Sequence, residues 1–243
     1  MMTTTDNQID RLNRIRRNEA NSHIEVYTHE KLYESDTWLK KPIKTVQDIM
    51  PFFTNYKELR ALDLGCGVGR NSIFIAKSFQ GKTCIVDCVD ILDVAIEILE
   101  NNAKEHNVRE RINGITKPIE EFPITKNSYD LILAVSALEH IDSEQHFADK
   151  LIEIEQGIRD DGIVCLIINS EVTEIDLKTG KDLEPNYEVN LNSNQILQYL
   201  DELFKEYEII KQNITDQEYE VPRDGTTSRL STKVISFVAQ KRK

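Results

Sequence analysis

The sequence predicts a doubly wound α/β fold, in which seven strands form a mostly parallel sheet and the last strand is antiparallel to the rest. Three observations predict it. A glycine-rich turn joins a short apolar strand to a helix within residues 61–79. Strands and helices then alternate as far as residue 168, as in a parallel sheet that helices cover on both faces. Two final strands have no room for a helix between them, so they must pair as a hairpin.

The region before the first predicted strand, residues 1–45, is interpreted as a helical appendage to the main domain, residues 46–243. Residues 6–20 are charged and amphipathic and predict a helix, and residues 45–53 predict a short one. Three aromatic residues lie between these helices: Tyr27, Tyr33 and Trp38. Their side chains either line a pocket or pack the appendage onto the main domain, and the sequence leaves both alternatives open.

The main domain is predicted from short apolar runs and from helical periodicity. Strands are expected near residues 59–64, 83–89, 112–116, 129–135 and 162–168. Helices are expected near residues 70–79, 92–106 and 143–159. The last of these is the clearest, because Phe147, Leu151 and Ile154 recur at helical spacing and Ser143 fits an N-terminal cap.

The alternation stops after the fifth strand. Residues 170–190 are polar and are predicted to form an insertion, followed by a helix at 193–204 and strands at 206–213 and 232–239. The 214–231 connection is too short and too polar for a crossover helix. The last two strands are therefore expected to form a hairpin.

Three glycines at every second position are the most informative feature of the chain. Gly65, Gly67 and Gly69 follow the first strand, and Asp63 stands two residues before them. Glycine lets the backbone take positive φ and lets a ligand approach without meeting a Cβ. Such turns bind nucleotide-like cofactors at the carboxyl ends of strands in open α/β sheets. The G-x-G-x-G spacing differs from the G-x-G-x-x-G fingerprint of NAD-binding domains.

The glycine motif resembles motif I of the class I S-adenosylmethionine-dependent methyltransferases, and the similarity extends over roughly residues 40–243. It implies a Rossmann-like fold, S-adenosylmethionine as the cofactor and methyl transfer as the activity. It also implies that the appendage, residues 1–45, covers the site. Gly69-Arg70-Asn71 is similar to the tellurite-resistance type of small-molecule methyltransferase. The run from Leu138 to Ile141 looks more like the small-molecule and quinone-type enzymes, so the acceptor is not fixed.

The second strand ends in Asp90, which is 21 residues after Gly69. An acid at this distance accepts hydrogen bonds from the ribose hydroxyls in Rossmann-like sites. Asp90 also fits a cap of the following helix, and the two roles are compatible.

The resemblance implies that the loop from Pro118 covers the adenine, where the family often has an acid. Proline has no such side chain, so Glu120, Glu121 or the backbone near Ile119 would take over this contact. The residues predicted to hold the cofactor are Asp63, Gly65, Cys66, Gly67, Gly69, Asp90, Ile91, Ile119, Glu120 and Val135.

Two residues after the fourth strand are the catalytic candidates. His140 has an ordinary pKa in the working range and would accept the proton of a hydroxyl nucleophile, while Glu139 would orient it or act itself. His140 could instead merely pack at the junction between strand and helix. A thiolate or a chalcogen oxyanion would need no base. No metal site is predicted, and the histidines at positions 23, 29, 106 and 146 are given no role.

Charge and composition limit the partners. The net charge is −12, and residues 170–224 hold 14 acids and 5 bases, which disfavours a nucleic-acid substrate. A basic cluster is interpreted as a solvated helix face: Arg11, Arg14, Arg16 and Arg17. No apolar run is long enough to cross a membrane, and the start lacks a signal-peptide core, so a cytoplasmic location is expected. The four cysteines are expected to be buried thiols.

The sequence thus predicts methyl transfer to a small-molecule acceptor, without nucleic acid or membrane as a partner; the chain could be a monomer or a homodimer. Alternative functions are methylation of RNA or protein, a non-catalytic S-adenosylmethionine-binding module, and an NAD-linked oxidoreductase. The glycine spacing and the terminal hairpin disfavour the last of these.

Overall fold

The computed structural model describes residues 4–35, 37–79, 81–223 and 225–242, with side chains from residue 9 onward. Its helices are α1 (Thr4–His29), α2 (Lys44–Ile49), α3 (Ser72–Ser78), α4 (Asp93–Glu105), α5 (Glu144–Gly157) and α6 (Ser193–Leu203). Its strands are β1 (Glu58–Leu64), β2 (Thr83–Asp90), β3 (Ile112–Thr116), β4 (Tyr129–Val135), β5 (Ile158–Asp176), β6 (Asp182–Leu183), β7 (Tyr207–Arg223) and β8 (Thr226–Lys241). Short 3-10 turns lie at Met50–Phe53, Arg109–Arg111, Ile119–Glu121 and Leu138–His140.

The strands form one sheet in the order β3-β2-β1-β4-β5-β8-β7, and β6 pairs with the far end of β5. Strands β1 to β5 are parallel, and β8 is antiparallel to both of its neighbours. The predicted doubly wound sheet with an antiparallel last strand is therefore confirmed, with the two-residue β6 as an addition. The strand order reverses between β1 and β4, where open α/β sheets bind their ligands.

The centre of the sheet is buried because its strands are apolar on both faces. Six of the seven residues of β4 are buried, and the helices cover the two faces in separate apolar clusters. Helix α5 begins as the sequence predicts, since the hydroxyl of Ser143 accepts a hydrogen bond from the His146 amide at 3.2 Å. Phe147, Leu151 and Ile154 face the core.

Two polar segments differ from expectation. Residues 170–176 continue β5 instead of starting the insertion, and the predicted 214–231 connection is mostly strand, because β7 and β8 run to a tight turn at Gly225. The reason is that β7 is an edge strand whose side chains are largely exposed. Such a strand needs no alternating apolar residues, so its sequence carries little strand signal.

Within the described part of the chain, no helix is long and apolar enough to span a membrane.

Candidate active site

A cavity of about 380 Å³ lies at the carboxyl ends of the central strands. Gly65 after β1, Asp90 at the end of β2 and Val135 at the end of β4 all line it. Its position is the switch point of the sheet, and its volume is in the range of small-molecule sites.

The glycine turn after β1 forms the floor of this cavity. Gly65 has φ +73°, and a Cβ there would lie 2.3 Å from the Cβ of Ala137. Gly67 has φ +51°, and a Cβ there would lie 2.7 Å from the hydroxyl of Tyr27. Both positions therefore require glycine for their conformation and for the space around them. The bare backbone of the turn is exposed to whatever occupies the cavity.

Asp90 fastens this turn to the second strand. Its Oδ2 accepts a hydrogen bond from the Gly67 amide at 2.9 Å, and its Oδ1 accepts one from the Leu92 amide at 3.0 Å, just before α4. Burial raises the pKa of the carboxyl, although these hydrogen bonds oppose the shift. Each carboxylate oxygen has a second lone pair, so Asp90 can still accept two hydroxyl groups of a ligand.

The loop after β3 forms another wall. Ile119 is buried beside the glycine turn and lines the cavity. Glu120 lines the cavity as well, whereas Glu121 is exposed and does not. Ile91 and Cys66 complete the predicted cofactor residues that reach the cavity.

Asp63 and Gly69, also predicted to hold the cofactor, lie behind the turn and do not line the cavity. Asp63 accepts a hydrogen bond from the Ser72 hydroxyl at 2.5 Å, and burial raises its pKa to about 7. A Cβ at Gly69 would lie 2.3 Å from Leu99 of α4, so this glycine lets the turn pack against that helix. Both residues shape the turn without facing a ligand.

Helix α1 lies across the cavity. Five of its residues line it at the spacing of one helix face: Arg16, Glu19, Ala20, His23 and Tyr27. Two expectations from the sequence are therefore corrected. His23, for which the sequence predicted no role, lines the cavity. The basic cluster is not only a solvated helix face, because Arg16 lines the cavity, whereas Arg17 is exposed.

The segment between β6 and α6 holds α1 in place. Arg11 donates to Glu184 at 2.5 Å, and Arg14 pairs with the same carboxylate. The amide of Asn18 donates to Asn186 at 3.3 Å. These contacts join residues about 170 positions apart, which is why the sequence alone did not indicate them.

Four side chains form what we term the ion-pair chain: Glu120, Arg16, Glu188 and His140. The Arg16 guanidinium pairs with Glu120, and its Nε lies 3.7 Å from Oε1 of Glu188. The other oxygen of Glu188 lies 2.9 Å from Nδ1 of His140, whose ring stacks on Tyr187. An ionised carboxylate can only accept, so the Nδ1 proton points to Glu188 and Nε2 is left for a ligand.

The surroundings of His140 determine its charge. Burial lowers the pKa of the imidazole, but the hydrogen bond to Glu188 and the charges of Glu19, Glu139 and Glu188 outweigh it and raise the pKa to about 9. His140 is therefore an imidazolium at neutral pH in the free protein. It can act as a base at a pH above this pKa, or when a bound ligand causes the ring to lose its proton.

Glu139, the second catalytic candidate, is turned away from the cavity. It is buried, and its Oε1 accepts a hydrogen bond from the Asn169 amide of β5 at 3.2 Å. Burial raises the pKa of this carboxyl. Neighbouring residues of the 3-10 turn point to different sides, so the carboxylate that orients His140 is Glu188 and not Glu139.

Of the three aromatic residues of the N-terminal region, two line the cavity and one packs the region onto the main domain. Tyr27 and Trp38 line the cavity. Tyr33 instead donates its hydroxyl to the carbonyl of Arg70 at 2.7 Å and so packs the region onto the main domain. The Arg70 guanidinium stacks over Trp38 at 4.7 Å.

Among the residues that the sequence-based prediction missed and that the fold brings to the cavity are Arg16, Glu19, His23 and Glu188. The first three recur on one face of a helix, which is a signal that could have been used. Glu188 lies in a polar segment with no local pattern, and its place depends on the contacts of that segment with α1.

Residues 61–162 match the model of the family described as "Methyltransferase domain". Over these residues the chain is similar to a methyltransferase domain. Together with the fold and the glycine turn, this match confirms the predicted resemblance to the class I S-adenosylmethionine-dependent methyltransferases.

Relatives of this methyltransferase domain act on different substrates. A ubiquinone biosynthesis O-methyltransferase from Rickettsia canadensis is 29% identical over 121 residues, which is 50% of this chain and 47% of that protein. The tRNA N(3)-cytidine methyltransferase METTL2 from Bos taurus is 25% identical over 175 residues, which is 68% of this chain and 46% of that protein. The chain spans less than half of the length of these relatives.

Solved structures share the fold of the methyltransferase domain. TehB from Haemophilus influenzae superposes with a TM-score of 0.58 at 19% identity and covers 81% of this chain and 62% of its own. A methyltransferase from Methanosarcina mazei gives a TM-score of 0.59 at 14% identity, covering 83% of this chain and 99% of its own.

S-adenosylmethionine is the cofactor of this domain, and the cavity residues fit it. A Cβ on either cavity-lining glycine, Gly65 or Gly67, would collide with its neighbours, so the turn keeps its backbone open to a ligand. Asp90 retains lone pairs for two ribose hydroxyls, and Ile119 offers an apolar wall for a flat ring. We expect the cofactor to be held by these three parts of the site.

Proposed function

We propose that this protein transfers the methyl group of S-adenosylmethionine to a small molecule whose nucleophilic oxygen or nitrogen carries a proton. The observation that carries the proposal is the contact between His140 and Glu188 inside the cavity that the glycine turn lines. A histidine oriented by a carboxylate supports the removal of a proton from a hydroxyl or an amine.

Bound S-adenosylmethionine supplies the methyl group on a positively charged sulfur. The acceptor atom would form a bond to the methyl carbon while the bond from sulfur to carbon breaks with its electron pair going to sulfur. Nε2 of His140 would take the acceptor proton. Glu188 stabilises the imidazolium that results. Helix α1 and the glycine turn hold the reactants together and exclude water.

A small acceptor is favoured over RNA by the shape and charge of the site. The cavity is covered by α1, and the chain has a net charge of −12, which repels a phosphate backbone. Methylation of RNA is the second candidate, because several relatives are tRNA methyltransferases.

Transfer of a labelled methyl group tests this function. The full chain is incubated with methyl-labelled S-adenosylmethionine and either a metabolite extract freed of macromolecules or total tRNA. We expect label in a product from the extract and none in the tRNA. Label in tRNA alone would contradict the proposal, and cofactor binding without any transfer would favour a non-catalytic module.

A Glu188→Gln variant should change the pH dependence of methyl transfer. In the wild type, kcat/KM is expected to rise with pH as the imidazolium of His140, with a pKa of about 9, loses its proton. Glutamine removes the charge that raises this pKa, so the inflection should move to lower pH by about one unit or more. Glu19 and Glu139 remain and limit the shift.

The pH profile of kcat/KM, measured for both proteins with one acceptor, checks this prediction. Glu206→Gln, an exposed acid after α6, is the control and should keep the wild-type profile. An unchanged inflection in Glu188→Gln would show that another group accepts the proton.

A further inference from the structure

We infer that the methyl acceptor carries no negative charge and is a neutral or cationic hydroxyl or amine compound. This inference rests on the proposed function and concerns the part of the cavity beyond the cofactor residues. The evidence for it is the set of charged side chains that line this part of the cavity and the hydrogen bonds and ion pairs that these side chains already make.

The arginines of the cavity are engaged. The guanidinium of Arg16 pairs with two carboxylates, those of Glu120 and Glu188. Arg70 donates to the carbonyl of Trp38 at 3.0 Å and stacks on the indole ring. The Nε of Arg16 makes no hydrogen bond, but an anionic acceptor that approached it would lie against the carboxylates of Glu120 and Glu188.

Carboxylates outnumber the cations around the acceptor. Three acids line this part of the cavity: Glu19, Glu120 and Glu188. Arg16 and protonated His140 compensate two of these charges, which leaves one negative charge in excess when His23 is neutral. When His140 is neutral and ready to accept a proton, the excess is two.

Glu19 provides the charge that the ion-pair chain does not neutralise. Its carboxylate lies 3.4 Å from Nε2 of His23 on the same helix. Burial raises its pKa, but the hydrogen bond to His23 and the charges of His140, His23 and Arg223 prevail and lower it. Glu19 is therefore ionised at neutral pH, close enough to His140 for their charges to interact.

Charge repulsion then decides between acceptor classes. An anion entering this space would lose its hydration beside three carboxylates, which is costly. The positive sulfur of S-adenosylmethionine offsets part of this cost, whereas S-adenosylhomocysteine has a neutral sulfur and offers no such cation. A cation or a neutral donor would pair with the excess acid. The inference therefore disfavours the thiolates and chalcogen oxyanions that the sequence left open.

Three phenols of nearly identical shape and different charge test the inference: tyramine is a cation, tyrosol is neutral and 4-hydroxyphenylacetate is an anion. Their binding is measured by calorimetry on the full chain saturated with S-adenosylhomocysteine. We expect tyramine and tyrosol to bind at least tenfold more tightly than the anion. An anion that binds as well as tyrosol, or no binding of any of the three, would overturn the inference.

A Glu19→Gln variant examines the origin of this selectivity. It should reduce the advantage of tyramine over tyrosol several-fold, whereas Glu25→Gln, on the exposed side of the same helix, should leave it unchanged. Equal selectivity in Glu19→Gln and the wild type would contradict the role of this acid. Failure of S-adenosylhomocysteine itself to bind would instead count against the proposed function, so the two failures are distinguishable.

Discussion

Replacement of Asp90 by alanine is expected to weaken the binding of S-adenosylmethionine about 100-fold. The carboxylate holds the Gly67 amide and the Leu92 amide, and it is the group that we expect to accept the ribose hydroxyls. Hydrogen bonds to a charged group contribute about 1.5–3 kcal/mol each, and about 1.4 kcal/mol corresponds to a tenfold change in affinity. Loss of the ribose contacts alone therefore accounts for this factor, and a looser glycine turn would add to it.

Calorimetric titration of the variant with S-adenosylmethionine checks this result. Asp93→Ala is the matched control, because Asp93 is an exposed acid at the start of α4. It should bind as the wild type does. A thermal melt shows that Asp90→Ala is still folded, and unchanged affinity in a folded Asp90→Ala protein would remove the assignment of the ribose site.

Replacement of His140 by alanine is expected to lower kcat for methyl transfer by about 10²–10⁴-fold, the usual contribution of a general base. S-adenosylmethionine should still bind with an affinity close to that of the wild type, because the glycine turn, Asp90 and Ile119 are unchanged. The loss should appear in kcat more than in the affinity for the cofactor, which separates a chemical role from a structural one.

Initial rates at saturating cofactor and acceptor measure this effect at a pH above the pKa of His140, which is about 9. His146→Ala provides a control, since His146 is an exposed histidine of α5 and contacts Asp142. Added imidazole should restore part of the rate to His140→Ala and have no effect on the wild type. A rate within a few-fold of wild type in His140→Ala would mean that the acceptor reacts without this base.

Local patterns explain why much of the fold and the cofactor half of the site could be predicted. Alternating glycines after an apolar run require a particular turn, and Asp90 follows at a distance set by one helix and one strand. Helix α5 has both a regular apolar face and a capping serine. Each of these signals is contained in a short stretch of sequence.

The acceptor half could not be predicted in the same way. Glu188 meets His140 across 48 positions, and Arg16 meets Glu120 across 104. Such pairs depend on how α1 packs against the main domain, and no short stretch of sequence indicates this packing. For Glu139 the local sequence was misleading. Glu139 is next to His140 in the sequence, but in the 3-10 turn its side chain contacts Asn169 instead of His140.

Titration of the purified chain with S-adenosylmethionine, S-adenosylhomocysteine and NAD in parallel tests the central claim most directly. Trp38 is the one tryptophan of the sequence and lines the cavity, so its fluorescence reports binding alongside calorimetry. We predict saturable binding of both adenosyl sulfur compounds and none of NAD. Binding of NAD, or no binding of either sulfur compound by the folded protein, would contradict the account.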